Sequence, residues 1–76
     1  MQSKDLTHIK TVSTLGQVIA KRRKALGMTQ KELSSITGIA QSNVSKLESG
    51  ASFGRLETYL KICTLVGVDL FAAPHS

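Results

Sequence analysis

Gln41, Ser42, Ser45, Lys46 and Ser49 share one side of a stretch whose opposite side carries Ala40, Val44 and Leu47, at the spacing of a helix. The polar side is short-chained and almost free of acid. Its chemistry is hydrogen bonding. A glutamine amide offers a donor beside an acceptor, which matches the edge of an adenine, while serine hydroxyls and a lysine ammonium can bond base edges or phosphate oxygens. Ala40, at the start of the stretch, is placed to touch a thymine methyl. The bland alternative is a solvated helix face with no partner.

Other chemistry finds little support. His8 and His75 lie near the two ends, and neither stands at a metal-ligand spacing from Cys63. There is no Ser–His–Asp arrangement or glycine-rich phosphate loop, and the acidic residues are scattered. A chain of 76 residues has little room for a substrate pocket. No catalysis, metal or cofactor is expected.

The polar side must be positioned by its neighbours. Ahead of it, Thr29 as N-cap and Glu32 three residues later make a capping box, and Met28 and Leu33 can close over it as a hydrophobic staple. Leu33 and Ile36 mark that helix's buried side, and Thr37-Gly38 stops it. The next helix runs from near Ala40 to Ser49, with Gly50 ending it. Ala40 is a poor cap, so Gln41 or Ser42 is expected to supply the capping contact.

Upstream, a helix from about Thr14 to Leu26 places Leu15, Val18, Ile19, Arg22 and Leu26 on one face, and Gly27 stops it. Lys21-Arg22-Arg23-Lys24 is the densest charge in the chain, part of it complementing the negative end of that helix. Downstream, Gly50 to Gly54 forms a loop with Phe53 folded against the core. A last helix from near Arg55 to Val66 turns Leu56, Tyr59, Leu60, Cys63 and Val66 or Leu65 inward, with Cys63 as a small core residue.

The expected fold is therefore mostly all-α, a compact four-helix bundle. It has an arm over 1–13, a helical domain over 14–67 and a tail over 68–76. The arm is read as loose, with a short strand or a contacting extension as alternatives. The tail, Val68 to Pro74, has β-forming and apolar residues, and one strand cannot stand alone in water. Val68, Leu70, Phe71 and Ala72 are expected to pair with the same segment of a second chain across a two-fold axis, Pro74 ending the ribbon. A floppy tail, or one folded back on its own helices, is the competing arrangement.

Composition agrees with this economy. A chain this short buries about 60% of its unfolded surface, so its core is marginal without added area. Hydrophobic residues make up 41% and aromatics 4%, so Leu, Ile, Val and Ala must fill the interior. The net charge of +5 favours nucleic acid or an anionic surface as partner. A single cysteine excludes an internal disulfide framework, as suits a reducing compartment. No apolar run approaches the ~20 residues of a membrane span, and Met1 is followed by polar residues, so a cytoplasmic location is expected and no membrane partner.

Thr29-Gln30-Lys31-Glu32-Leu33, then Gly38-Ile39, then Val44-Ser45-Lys46-Leu47-Glu48-Ser49-Gly50 resembles the helix-turn-helix of the XRE (Cro and phage-repressor) family, over roughly Leu15 to Val68. The resemblance implies double-stranded DNA as partner. Ala40, Gln41, Ser42, Ser45 and Lys46 become the base-edge candidates. Gln30, Arg22, Lys24, Ser49 and Arg55 become the phosphate candidates, which set register and affinity. It also implies an Arg23–Glu48 salt bridge and a homodimer on a palindromic operator with half-sites ~34 Å apart.

A helical domain followed by a pairing strand looks like the HipB-type antitoxins. That narrower resemblance implies repression of the protein's own operon and a partner toxin, a HipA-like kinase. A phage-type or restriction-modification controller repressor, which usually ends in a further helix, is the nearest rival. A transcriptional coactivator using the fold as a protein bridge is a rival of another class.

Overall fold

The computed structural model describes residues 7–51, 54–72 and 74. Four helices follow in order: α1 (Val12–Ala25), α2 (Gln30–Thr37), α3 (Gln41–Glu48) and α4 (Leu56–Val66). Helix α1 packs on α3 and α4, and α2 packs on α3. Leu15, Ile19, Leu33, Val44, Leu47, Tyr59, Ile62, Cys63 and Val66 make one core shared by all four. None of the described helices is long and apolar enough to cross a membrane.

Helix α1 starts two residues earlier than expected. Thr11 is its N-cap, its hydroxyl accepting from the Thr14 N–H at 3.2 Å. Thr11, Ser13 and Thr14 are all capable caps, so residue type alone does not choose among them. The arm is correspondingly shorter, and Ile9 packs against the core rather than hanging free. Residues 1–6 of the arm and Phe53 of the loop lie outside the described residues. The buried face of α1 is Leu15, Gly16, Ile19 and Arg23. Leu26, expected on it, is the C-cap and stands 46% exposed.

Helix α2 is started by the full capping box. Thr29 Oγ1 accepts from the Glu32 N–H at 3.0 Å, and a Glu32 carboxylate oxygen accepts from the Thr29 N–H at 2.9 Å. Met28 lies half-buried against the core and Leu33 is fully buried. The hydrogen bond from the Thr29 backbone, then that from its side chain, holds the Glu32 carboxyl below its ordinary value of 4.5. A depressed carboxylate stabilises the fold above its unfolded pKa and loses that contribution as pH falls through the folded value. Acid unfolding of the wild type should therefore steepen below about pH 4.5, and Glu32→Gln should flatten that part of the curve by lowering neutral-pH stability toward the wild type's acid-side value. An identical acid limb in both proteins would show that the box does not persist in solution.

Ile36 is not on the buried side. It is 59% exposed, and its neighbour Thr37 is buried instead. Burying Thr37 leaves no orphaned group, because its hydroxyl donates to the Leu33 carbonyl at 2.8 Å and accepts from the Ile39 N–H at 3.2 Å. Gly38 turns the chain at φ 76°, a conformation that costs other residues dearly. The Lys61 ammonium closes the end of α2 from across the bundle, donating to the Thr37 carbonyl at 2.8 Å.

Helix α4 is rotated from its expected register. Tyr59, Ile62, Cys63 and Val66 face in, while Leu56 and Leu60 are 66% and 42% exposed. The helix is apolar on most sides, so periodicity alone does not fix its face. Beyond Gly67, Val68 packs half-buried on the core, and Leu70, Phe71 and Ala72 are exposed. Among the described residues no strand forms. A ladder over Val68 to Ala72 requires a second strand, so a single chain cannot form the ribbon expected from sequence.

Candidate nucleic-acid interface

Helix α3 is held from behind on both sides of its axis. Val44 and Leu47 are fully buried. Behind Leu47 lies Gly16 of α1, so close that a Cβ built there would collide with the Leu47 carbonyl oxygen. The turn leading into α3 is fixed by Ser34 Oγ, which donates to the Ile39 carbonyl at 2.6 Å. No side chain caps the first turn; the Ala40 carbonyl accepts from the Asn43 and Val44 N–H groups at 2.9 and 3.0 Å. The expected capping contact from Gln41 or Ser42 is therefore absent. Both side chains stay exposed.

The C-terminal end of α3 is anchored by a buried ion pair. Arg23 Nε and Nη2 donate to the two oxygens of Glu48 at 2.7 and 2.9 Å, a two-pronged contact joining α1 to α3. The same guanidinium donates through Nη1 to the Met28 carbonyl at 2.6 Å, which ties in the approach to α2. Hydrogen bonding to Glu48 raises the Arg23 pKa; desolvation opposes it, and the charge of Glu48 adds to the rise. Gln30 Nε2 completes the cluster, donating to Glu48 Oε1 at 3.0 Å.

Ala40, Gln41, Ser42, Ser45, Lys46 and Ser49 all lie exposed; Gln41, Ser42, Ser45 and Lys46 stand on α3 itself, and Ala40 and Ser49 are its N-cap and C-cap. Among the described residues no side-chain hydrogen bond engages Gln41, Ser42, Ser45 or Lys46, whereas Ser49 Oγ donates back to the Lys46 carbonyl at 3.0 Å. The phosphate candidates are more scattered. Lys24 is exposed. Arg55, just before α4, is exposed and loosely paired with Glu57 at 3.5 Å. Arg22 is partly committed elsewhere, since its Nε donates to the Val66 carbonyl at 2.8 Å and closes the end of α4. Gln30 is half-buried, with one amide N–H spent on Glu48.

Gly16 and the Gln30–Glu48 contact escape a reading by periodicity. A glycine one residue after Leu15 and three before Ile19 is the signal that finds the first, since it leaves a gap in an apolar face. The second links residues 18 apart and has no local signal. Among the described residues no group of three His, Cys, Asp or Glu could hold a metal. Burial pushes the Cys63 thiol up, away from the reactive thiolate. The outer surface of α3 thus offers hydrogen-bond donors and acceptors and the Lys46 ammonium along a rigidly backed helix.

Comparison with known proteins places these features in a wider set. The model of the helix-turn-helix family matches residues 19–71. An uncharacterized HTH-type transcriptional regulator of Haemophilus influenzae is 32% identical over 63 residues, which cover 83% of this chain and 63% of that protein. This chain therefore spans less than two thirds of that relative. Among solved structures, a HipB variant in an O2 20mer complex superposes with a TM-score of 0.81 at 24% identity, over 95% of this chain and 100% of that one. HipB in a HipA-HipB-O2-O3 complex gives 0.79 at 24% identity, over 93% and 100%. These likenesses establish the fold.

Proposed function

This chain belongs to the helix-turn-helix family, of the XRE type, and from that premise we propose that it is a sequence-specific DNA-binding transcriptional repressor acting as a homodimer. The observation that carries the proposal is the outer face of α3. Gln41, Ser42, Ser45 and Lys46 stand exposed on a helix whose other side is locked to α1 by Gly16 and by the Arg23–Glu48 pair. Such a helix fits a major groove, with Ala40 near a thymine methyl. Lys24, Arg55, Ser49 and the unspent parts of Arg22 and Gln30 would hold the backbone, and the net charge of +5 would speed association. The Haemophilus relative, a transcriptional regulator by name, supports the same reading.

Within that class the role proposed is the antitoxin of a HipBA-like module, which represses its own operon and holds a HipA-like kinase. The likeness in fold to HipB supports it. So do the apolar side chains beyond α4. Val68, Leu70, Phe71 and Ala72 would pair with a second chain and cover Phe71, which is 71% exposed. The setting proposed is the cytoplasm, at the nucleoid. Co-purification from the native host tests the partner: recovery of a kinase encoded beside the gene supports the antitoxin role, and its absence when both genes are expressed counts against it.

Base reading is tested by Lys46→Ala and Gln41→Ala. Each should weaken one operator by roughly 10- to 100-fold, the scale of ~1–3 kcal/mol per lost base contact, while changing affinity for random DNA far less. Equal losses on every sequence would assign these residues to the phosphate backbone instead.

A further inference from the structure

We propose that Glu48 is the positioning residue of the DNA interface, holding the Gln30 amide in a single orientation so that Gln30 meets DNA with a pre-set edge. The inference rests on the DNA-binding reading above. It starts from a contact between residues 18 apart in sequence: Gln30 Nε2 donates to Glu48 Oε1 at 3.0 Å. A carboxylate accepts and never donates, so it can face the amide nitrogen but not the amide oxygen. The flip state of Gln30, which nothing on its own helix dictates, is thereby set by a charge on α3.

The carboxylate is itself immobilised. Arg23 grips both its oxygens at 2.7 and 2.9 Å, and Arg23 is pinned in turn by the Met28 carbonyl at 2.6 Å. Glu48 is buried, whereas Gln30 is half-buried at the start of α2. One N–H and the carbonyl oxygen of Gln30 remain unspent by this cluster. They form a donor beside an acceptor, in an orientation fixed before any partner arrives. Ordering a free glutamine on binding loses side-chain entropy; here that ordering is already done in the folded protein.

The expected effect is opposite in sign to simple electrostatics. Removing a negative charge close to a polyanion should tighten DNA binding. If Glu48 positions Gln30, Glu48→Gln should weaken it. The test is a double-mutant cycle on the DNA upstream of the protein's own gene. Binding is read by fluorescence anisotropy at physiological salt with unrelated competitor, for wild type, Glu48→Gln, Gln30→Ala and the double variant. Circular dichroism establishes beforehand which of them fold.

Each single change should cost roughly tenfold, the scale of one hydrogen bond to a charged group, and the double variant should bind no worse than the weaker single one. Additive losses, or tighter binding by Glu48→Gln, would overturn the proposal. A wild type that fails against competitor would overturn the DNA-binding reading itself, and this proposal with it.

Should Glu48→Gln not fold, the wild type alone still decides. Nuclear magnetic resonance of its side-chain amides should show one Gln30 proton in slow exchange and shifted from those of Gln17 and Gln41, both of which are exposed. A Gln30 amide indistinguishable from those two would show that Glu48 does not hold it.

Discussion

Replacing Arg23 with methionine is expected to cost about 3–5 kcal/mol, a large share of the stability of so small a domain. The loss is large because the change strands Glu48, whose side chain is 6% exposed, without the cation that compensates its burial. A domain of this size has about 5–10 kcal/mol in total. Glu48→Leu should cost a similar amount by stranding Arg23 and freeing its hold on the Met28 carbonyl.

The double variant Arg23→Met/Glu48→Leu should recover most of the loss, since neither charge is then buried and the two apolar chains can pack across α1 and α3. Urea unfolding of the three variants checks this, and additive losses in the double variant would show that the two residues act separately. By contrast, Arg55→Ala should change stability by less than about 1 kcal/mol, because the Arg55–Glu57 pair is exposed on both sides.

Gly16→Ala is the second large effect. In an exposed helix, glycine to alanine stabilises by up to about 1 kcal/mol. Here the new methyl would enter the Leu47 carbonyl oxygen and press on the backbone near Glu48, atoms that cannot swing aside as a side chain tip can. Overpacking of this kind costs about 1–3 kcal/mol or more. A net loss of about 2 kcal/mol would lower Tm by roughly 8–16 °C in a domain this small. The damage should reach DNA binding as well, since the only relief is for α3 to move off α1 and carry Gln41 to Lys46 with it. Thermal unfolding of Gly16→Ala at or above the wild-type Tm would contradict the close packing of α1 on α3.

Residues differ in how visible their roles are in sequence. The capping box of Thr29 and Glu32 and the turn at Gly38 are local chemistry, so α2 and its end are legible from residue types. The outward face of α3 is legible for a related reason: Val44 and Leu47 leave one way for the helix to turn. Its long-range supports are harder. Gly16 matters through the space it leaves, which depends on the closeness of another helix. Arg22 reads as a cation on the apolar face of α1 and as a phosphate candidate, and is found closing α4 through the Val66 carbonyl, 44 residues away.

Sequence and structure differ where two faces of a helix have similar hydropathy. Ile36 is more apolar than Thr37 and yet lies outside, because the threonine hydroxyl finds partners within its own turn and can be buried without cost. In α4, Leu56 and Leu60 compete with Ile62 for the inner face, and Ile62 is the one buried. The apolar side chains left outside, Ile36, Leu56, Leu60 and Phe71, are consistent with a small chain that gains further burial from a partner.

That the outer face of α3 reads a specific DNA site is tested most directly by gel-shift binding to the DNA upstream of the protein's own gene, at physiological salt with excess unrelated competitor. The expected result is a discrete complex that survives competitor and contains two chains per site. A complex that disappears with competitor, or whose affinity depends on salt but not on sequence, would contradict specific reading and leave the basic surface with counterion-release binding alone.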